Sequence, residues 1–393
     1  MKLGKLNIQE AGDRLNVSCE VTFNRSDLDA PGEIWYELPQ RYVEDPTRRH
    51  DAFAVASILV ASVLEEPLEV KGALSSRLIR GMEEYLRAFN AWFPGSFPPV
   101  QIEPEEIVAR PVLAEGITAS AFSGGVDSFF TLMNHRRGVE RLDKYAIGRG
   151  VFVHGFDIAL DDDETFPTAF GSYSRMFSDL GMELEAIRTN VRALTRGIGI
   201  KWEYAHGSAL ISVAHALGGL VDCFYVPSSN PYVNPGQWGS DPIIDHLLAS
   251  ESLEVIHDGS AALRAEKILA LADWEATWPR LRVCWEQPDG LNNCCRCYNC
   301  LLVMSVLESA GKLDRYSTFA LPFDLERMRE VEIPWGWAVE GKGISDACRS
   351  FGRDDIADAV ELAVFRTYPD HELNKEANEP AGWLNLLRRR RRR

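Results

Sequence analysis

The spacing of hydrophobic positions changes along the chain. Strand-like patterns occupy 5–9, 15–23 and 33–38, and helix-like ones 51–64 and 75–93. Pro94, Pro98, Pro99, Pro104 and Pro111 then break the pattern, so 94–116 reads as a linker between domains. From 117 onward, apolar runs at 117–122, 150–158, 184–189, 223–227 and 253–257 alternate with helical patterns near 127–138, 164–181 and 206–218. Strands separated by helices of this length predict βαβ units, hence an α/β fold with a doubly wound, mostly parallel sheet. Residues 301–310 are strongly apolar and helix-like, and 325–331 and 354–365 have amphipathic spacing. The predicted organisation is an N-terminal α+β module (1–93), the linker (94–116), a main body (117–310), a helical C-terminal extension (311–387) and an arginine run (388–393).

Chemistry enters where the first strand of the body ends. It runs into Ser123-Gly124-Gly125-Val126-Asp127-Ser128 and then into a helical pattern. Two adjacent glycines let the backbone approach an anion closely, and the N–H groups opening a helix point at it with the dipole behind them. Ser123 and Ser128 add hydroxyls, and Asp127 is a candidate holder of Mg²⁺ bridging phosphate oxygens. Neither the Walker A spacing nor Gly-x-Gly-x-x-Gly is present, so this is a phosphate cradle of another kind. In a doubly wound sheet it would lie at the carboxyl ends of the strands, where ligands bind.

Five of the eight cysteines fall within 17 residues. Cys284, Cys294, Cys297 and Cys300 form Cys-x-x-Cys-x-x-Cys with a fourth thiol ten residues upstream, a set that suits tetrahedral Zn²⁺. Cys295 is the candidate non-ligand, with exchange between Cys294 and Cys295 left open. A [4Fe–4S] cluster is the competing reading, disfavoured because Leu301 follows Cys300 where the ferredoxin run has proline. A redox pair or unliganded core thiols fit so dense a cluster less well.

Composition narrows the partners. With a formal net charge of −16, and 36 basic against 58 acidic side chains once the terminal six arginines are set aside, the body repels polyanions; nucleic acid is not the expected partner. The arginine run itself reads as a disordered end. No apolar run is long enough to span a membrane and no signal peptide opens the chain, so a cytoplasmic address is expected. The acidic run Asp161-Asp162-Asp163-Glu164 reads as a solvated helix start in preference to a second metal site.

The loop at 123–128 resembles the PP-loop, Ser-Gly-Gly-x-Asp-Ser, of the N-type ATP pyrophosphatases. Loop and cysteine cluster together resemble the QueC-like 7-cyano-7-deazaguanine synthases over 117–310, half of the chain. The resemblance implies an adenine nucleotide alpha-hydrolase-like fold with a zinc-binding segment, and an ATP-dependent C–N ligase using ATP, Mg²⁺ and Zn²⁺. In that chemistry AMP is transferred to a small-molecule carboxylate, a 7-deazapurine in the family, and ammonia or an amine then displaces it; the family goes on to a nitrile. Phe156-Asp157 stands where the family has Phe-Asp beside the adenine, and the stretch from Ala205 to Gly218 resembles the helix after the third strand. Arg264-Ala265-Glu266 replaces Lys-Ala-Glu, which makes Arg264 or Lys267 the cation facing phosphate.

Two departures fall on the acceptor side. His206-Gly207, candidate nucleotide contacts, replaces Arg-Asn, and the 227–245 loop, with Ser228, Ser229, Trp238 and Asp241 as candidate substrate contacts, has its own sequence. They point to a specialised relative serving a biosynthetic or defence pathway, with the N-terminal module as the place for a protein partner. Relatives suggest a homodimer. The alternative functions are a PP-loop sulfurtransferase or tRNA thiolase, and a non-catalytic nucleotide-binding scaffold.

Overall fold

A computed structural model describes residues 1–42, 49–109, 116–233, 237–284, 286 and 290–367. Strands β1 (Lys2–Ala11), β2 (Arg14–Thr22) and β3 (Glu33–Pro39) form an antiparallel meander. Alternation in β3 sends Ile34, Tyr36 and Leu38 into the core, as period-two patterning requires. Helix α1 (Asp51–Val63) is apolar on every side and is buried accordingly. Strand β4 (Leu68–Ser75), helix α2 (Ser76–Trp92) and strand β5 (Ile102–Val108) complete this half.

The second half alternates β6 (Ile117–Ala121), α3 (Val126–His135), β7 (Arg149–His154), α4 (Thr165–Asp179), β8 (Glu183–Thr189), α5 (Val191–Gly197), α6 (Trp202–Ala216), β9 (Val221–Pro227), β10 (Glu254–Asp258) and α7 (Arg264–Leu271). Its five strands are parallel in the order β10-β9-β6-β7-β8, so the winding reverses between β6 and β9. The α/β class and the mostly parallel sheet expected from periodicity are present. Helices α8 (Tyr298–Ser309), α9 (Leu325–Glu330), α10 (Trp335–Ser350) and α11 (Asp354–Thr367) follow and pack on the α7 side.

The two halves share one ten-stranded sheet, ordered β10-β9-β6-β7-β8-β3-β2-β1-β4-β5. The segment read as a module ahead of the body is therefore joined to it edge to edge. β3 pairs antiparallel with β8 through Tyr36↔Thr189 and Glu37↔Arg188, and Arg14 Nη2 donates to Ala186 O at 2.8 Å across the seam. Part of the stretch read as a linker is strand β5, paired with β4. Pro104 hid it, but an edge strand tolerates a missing N–H. Pro111, residues 368–387 and the arginine run lie outside the described residues.

One apolar core lies on each face of the sheet. The first joins β1–β4, α1 and α2 to α5, α6 and β9; the second joins α3, α4, α7 and α8 to the C-terminal helices. Phe122, at the foot of the glycine loop, meets Phe129, Tyr173 and Phe177 edge-on at 5.1, 5.2 and 5.0 Å between centroids, which fixes where the loop begins. Among the described residues no helix is long and apolar enough to cross a membrane.

Candidate functional site

The loop of residues 123–125 leaves β6 at the reversal of the sheet and opens α3. Gly124 has φ +78°, and a Cβ there would collide with the Tyr173 hydroxyl, so both conformation and space demand glycine. Gly125 N donates to Ser123 Oγ at 3.3 Å, and Ser128 Oγ donates to Gly125 O at 3.1 Å. Ser128 is buried and its hydroxyl proton serves the loop itself, whereas Ser123 is half-buried at the rim. Val126 belongs to the core and contributes its backbone position.

Asp127, on the first turn of α3, meets two cations carried on one face of α7 three residues apart. Arg264 Nη1 donates to Oδ2 at 3.0 Å and Lys267 Nζ to Oδ1 at 2.9 Å. Burial works against the Asp127 charge, yet Lys267 and Arg264 hold its carboxyl below the usual carboxylate range. Lys267 is only 1 % exposed and also donates to Ser228 O at 2.5 Å. Arg264 Nη2 donates to Asn299 Oδ1 at 3.1 Å, and its backbone N–H donates to Glu340 Oε2 at 3.3 Å. Burial raises the Glu340 carboxyl above its usual range, with the Arg264 charge opposing. Both Asp127 oxygens thus accept from protein cations. This does not fit the expectation that Asp127 holds Mg²⁺, which would have to displace an ion pair.

The four cysteines converge. The Sγ atoms of Cys284, Cys294, Cys297 and Cys300 all lie within 4.8 Å of one another, with Cys294 and Cys300 at 3.8 Å. Four thiolates bound at about 2.3 Å to tetrahedral Zn²⁺ stand about 3.8 Å apart, so the donor set fits that ion. Backbone N–H groups of Arg296 and Cys297 donate to Cys294 Sγ at 3.4 and 3.2 Å, and that of Cys294 to Cys284 Sγ at 3.5 Å. Hydrogen bonds from Cys297 and Cys300 hold the Cys284 thiol well below the ordinary thiol range. Cys295 takes φ +59°, which turns its side chain out of the cluster to donate to Asn293 O at 3.4 Å. The non-ligand is therefore Cys295.

The acceptor-side candidates separate. His206 is half-buried on α6, with its ring 5.9 Å from Trp238, and burial lowers its pKa. Gly207, a candidate nucleotide contact, abuts Gly239: a Cβ there would strike the Gly239 carbonyl, so the close approach of Gly239 to α6 requires glycine. Phe156 is buried against Trp202, and Asp157 lies in the turn after β7. Ser228 points inward, donating from Oγ to Asn230 O at 2.7 Å, while Ser229 is exposed. Asp241 is fully buried, its Oδ1 accepting from Ile243 N at 2.8 Å and its Oδ2 without a hydrogen-bond partner among the described residues. The 161–164 run acts as a helix start, Asp162 Oδ1 accepting from Thr165 N at 2.8 Å.

Three groups were not legible beforehand. Asn299 carried a signal, since it stands between Cys297 and Cys300, but its use as a brace for Arg264 depends on how α8 meets α7. A buried Asp245–His257 pair (2.7 Å), reinforced by Ser240 Oγ donating to Asp245 Oδ2 at 2.6 Å, sits beside Asp241. Arg282 donates its backbone N–H to Gly124 O at 2.9 Å. Comparison with family models, with curated proteins and with solved structures found no match to this chain.

Proposed function

We propose that this chain activates a small-molecule carboxylate with ATP, forming an acyl-adenylate that ammonia or an amine converts to an amide, in the manner of the QueC-like ligases it resembles. The observation that carries the reading is the glycine loop at the reversal of the sheet, opening α3 directly above the Asp127–Arg264–Lys267 cluster. A loop of backbone N–H groups at a helix start suits a phosphate, and the net positive charge of the Asp127–Arg264–Lys267 cluster beside it suits the charge of pyrophosphate as it departs.

The carboxylate oxygen attacks the α-phosphorus and the bond to pyrophosphate breaks, its electron pair leaving with pyrophosphate. Amine nitrogen then attacks the acyl carbon, the bond to AMP breaks, and the proton leaves the nitrogen. No nucleophilic side chain is required; positioning and exclusion of water supply the acceleration. ATP enters as its magnesium complex. The acceptor lies toward His206, Trp238 and Asp241, where the chain departs from the family it resembles. Zn²⁺ held by Cys284, Cys294, Cys297 and Cys300 is a closed, structural centre in this reading, and all four thiols are taken up in it, which disfavours persulfide chemistry.

The test is incubation of the protein with ATP, Mg²⁺ and candidate carboxylates in the presence of ammonia. AMP and pyrophosphate in step with amide are expected; ADP and phosphate alone would overturn the reading. Metal analysis of anaerobically purified protein should find one zinc per chain, and iron with a visible absorption band would favour a thiolase.

A further inference from the structure

Beside the glycine loop lies a third buried cation that no acid among the described residues pairs with. The segment entering Cys284 runs beside the glycine loop, and the Arg282 backbone bond to Gly124 O fastens the two together. The Arg282 side chain is 7 % exposed, yet among the described residues it forms no ion pair and donates no hydrogen bond, and its Nη2 is fully buried without an acceptor. The Tyr173 hydroxyl, which rests against Gly124 and donates to Arg280 O at 3.2 Å, lies within reach of its charge. A guanidinium cannot shed its proton to escape burial, and an uncompensated buried charge is strongly unfavourable. Lys267 and Arg264, buried close by, are both engaged by Asp127. Arg282 alone of the three is uncommitted, and the neighbour it is fastened to is the anion-binding loop.

We infer that Arg282 is an oxyanion-binding residue of this site, whose guanidinium takes phosphate oxygens of the nucleotide held by the 123–125 loop. The inference rests on the ATP reading above. The planar fork suits two oxygens of one phosphate, and its charge opposes the negative charge gathering on pyrophosphate as the bond to AMP breaks. The unfavourable burial is then a feature of the ligand-free protein, removed when the anion arrives. Neither Arg264 nor Lys267 substitutes for it without abandoning Asp127.

The test compares the full-length wild type with Arg282→Met and Arg282→Lys, titrating each calorimetrically with the magnesium complex of α,β-methylene-ATP and measuring each melting temperature without ligand. Arg282→Met should bind at least about tenfold more weakly, and should melt at or above the wild-type temperature because an unpaired charge has been removed. Arg282→Lys, which keeps the charge and loses the fork, should fall between the two. Arg282→Met binding as tightly as wild type, or melting below it without ligand, overturns the inference and leaves the ATP reading intact. A wild type that binds no analogue overturns the ATP reading and this inference with it.

Discussion

Asp127 serves two ends at once: it opens the helix that follows the glycine loop, and it is the acid that ion-pairs with two buried cations. Arg264 and Lys267 are 5 % and 1 % exposed, so removing Asp127 takes away the carboxylate that both buried cations pair with. Asp127→Ala should therefore abolish AMP release and also lower stability, by about 3 kcal/mol on the scale of broken buried ion pairs. Adding Lys267→Met should recover part of that loss, which urea denaturation of the single and double variants will measure; equal stability of Asp127→Ala and wild type would show the cations satisfied without it. At this scale the sequence was a good guide to residue identity and a poor one to partnership. The four metal-fitting thiols were legible from spacing, because short spacers leave a turn little choice. Cys295 was already the candidate non-ligand, and its φ of +59°, which no sequence pattern announces, settles the exchange with Cys294 that spacing left open. The pairing of Asp127 with two residues of α7 spans more than 130 positions and is set by how α3 and α7 pack.

Helix α3 is tied to β10 by a polar cluster distinct from the loop. His135 Nε2 meets Asp258 Oδ1 at 2.9 Å and its Nδ1 meets Glu140 Oε2 at 2.7 Å, while Thr131 Oγ1 donates to Asp258 Oδ2 at 2.7 Å and the Tyr225 ring stacks on the imidazole at 4.7 Å. Burial opposes protonation of His135, but the Asp258 and Glu140 carboxylates outweigh it and raise the pKa. The linked stability is fully present below the unfolded value of about 6.5 and is lost as pH rises through the raised folded value. For Asp258, burial opposes ionisation and His135 outweighs it, so its contribution is lost only as pH falls through a depressed value. Melting temperature should accordingly decline from slightly acid to alkaline pH in wild type more than in His135→Gln, and parallel profiles would sink the assignment. The cysteine turn is a second such tie. Asn299 Nδ2 donates to Val283 O at 2.5 Å while its Oδ1 holds Arg264, so the turn that presents Cys297 and Cys300 also aims a cation at Asp127. Cys297→Ser should lose bound zinc and weaken nucleotide binding together, as followed by metal content and calorimetry; a zinc-replete, fully folded variant would contradict the ligand set. Elements with long apolar runs, such as α6 and β7, were legible. Those carried by charge and proline were not: β5 has one glutamate-rich face to solvent, and α7 has a short polar repeat whose first turn is set by Glu266 Oε2 accepting from Leu263 N at 2.7 Å.

Whether the chain has two folding units or one turns on the seam between β3 and β8. The backbone ladder there is short, two residue pairs, and by itself would be a weak join. Side chains reinforce it. Arg188 and Glu37 pair at 3.4 Å, Asn190 Oδ1 accepts from Trp35 N at 3.0 Å, and Thr189 Oγ1 donates to Trp35 O at 2.7 Å. Behind the sheet, α1 packs on α6, and Tyr36 Oη donates to Ser212 Oγ at 2.9 Å in the middle of the shared core. Separating the halves would expose Ile187, Val191, Leu194 and Ala209 on one side and Tyr36, Phe53 and Ile58 on the other. Each large side chain in that set is worth about 1.5–3 kcal/mol on burial, a total larger than a weak domain contact supplies. The N-terminal half therefore acts as a continuation of the scaffold that positions α6, and with it His206 and the 227–245 loop. Native-state hydrogen exchange followed by mass spectrometry tests this directly. Amides of β2 and β3 should exchange through the same global opening as those of β6 and β7, with matching free energies and the same denaturant dependence. A cheaper opening confined to β1–β5 would make the seam a domain border, and the N-terminal strands would then be free to move against the site instead of holding one wall of it.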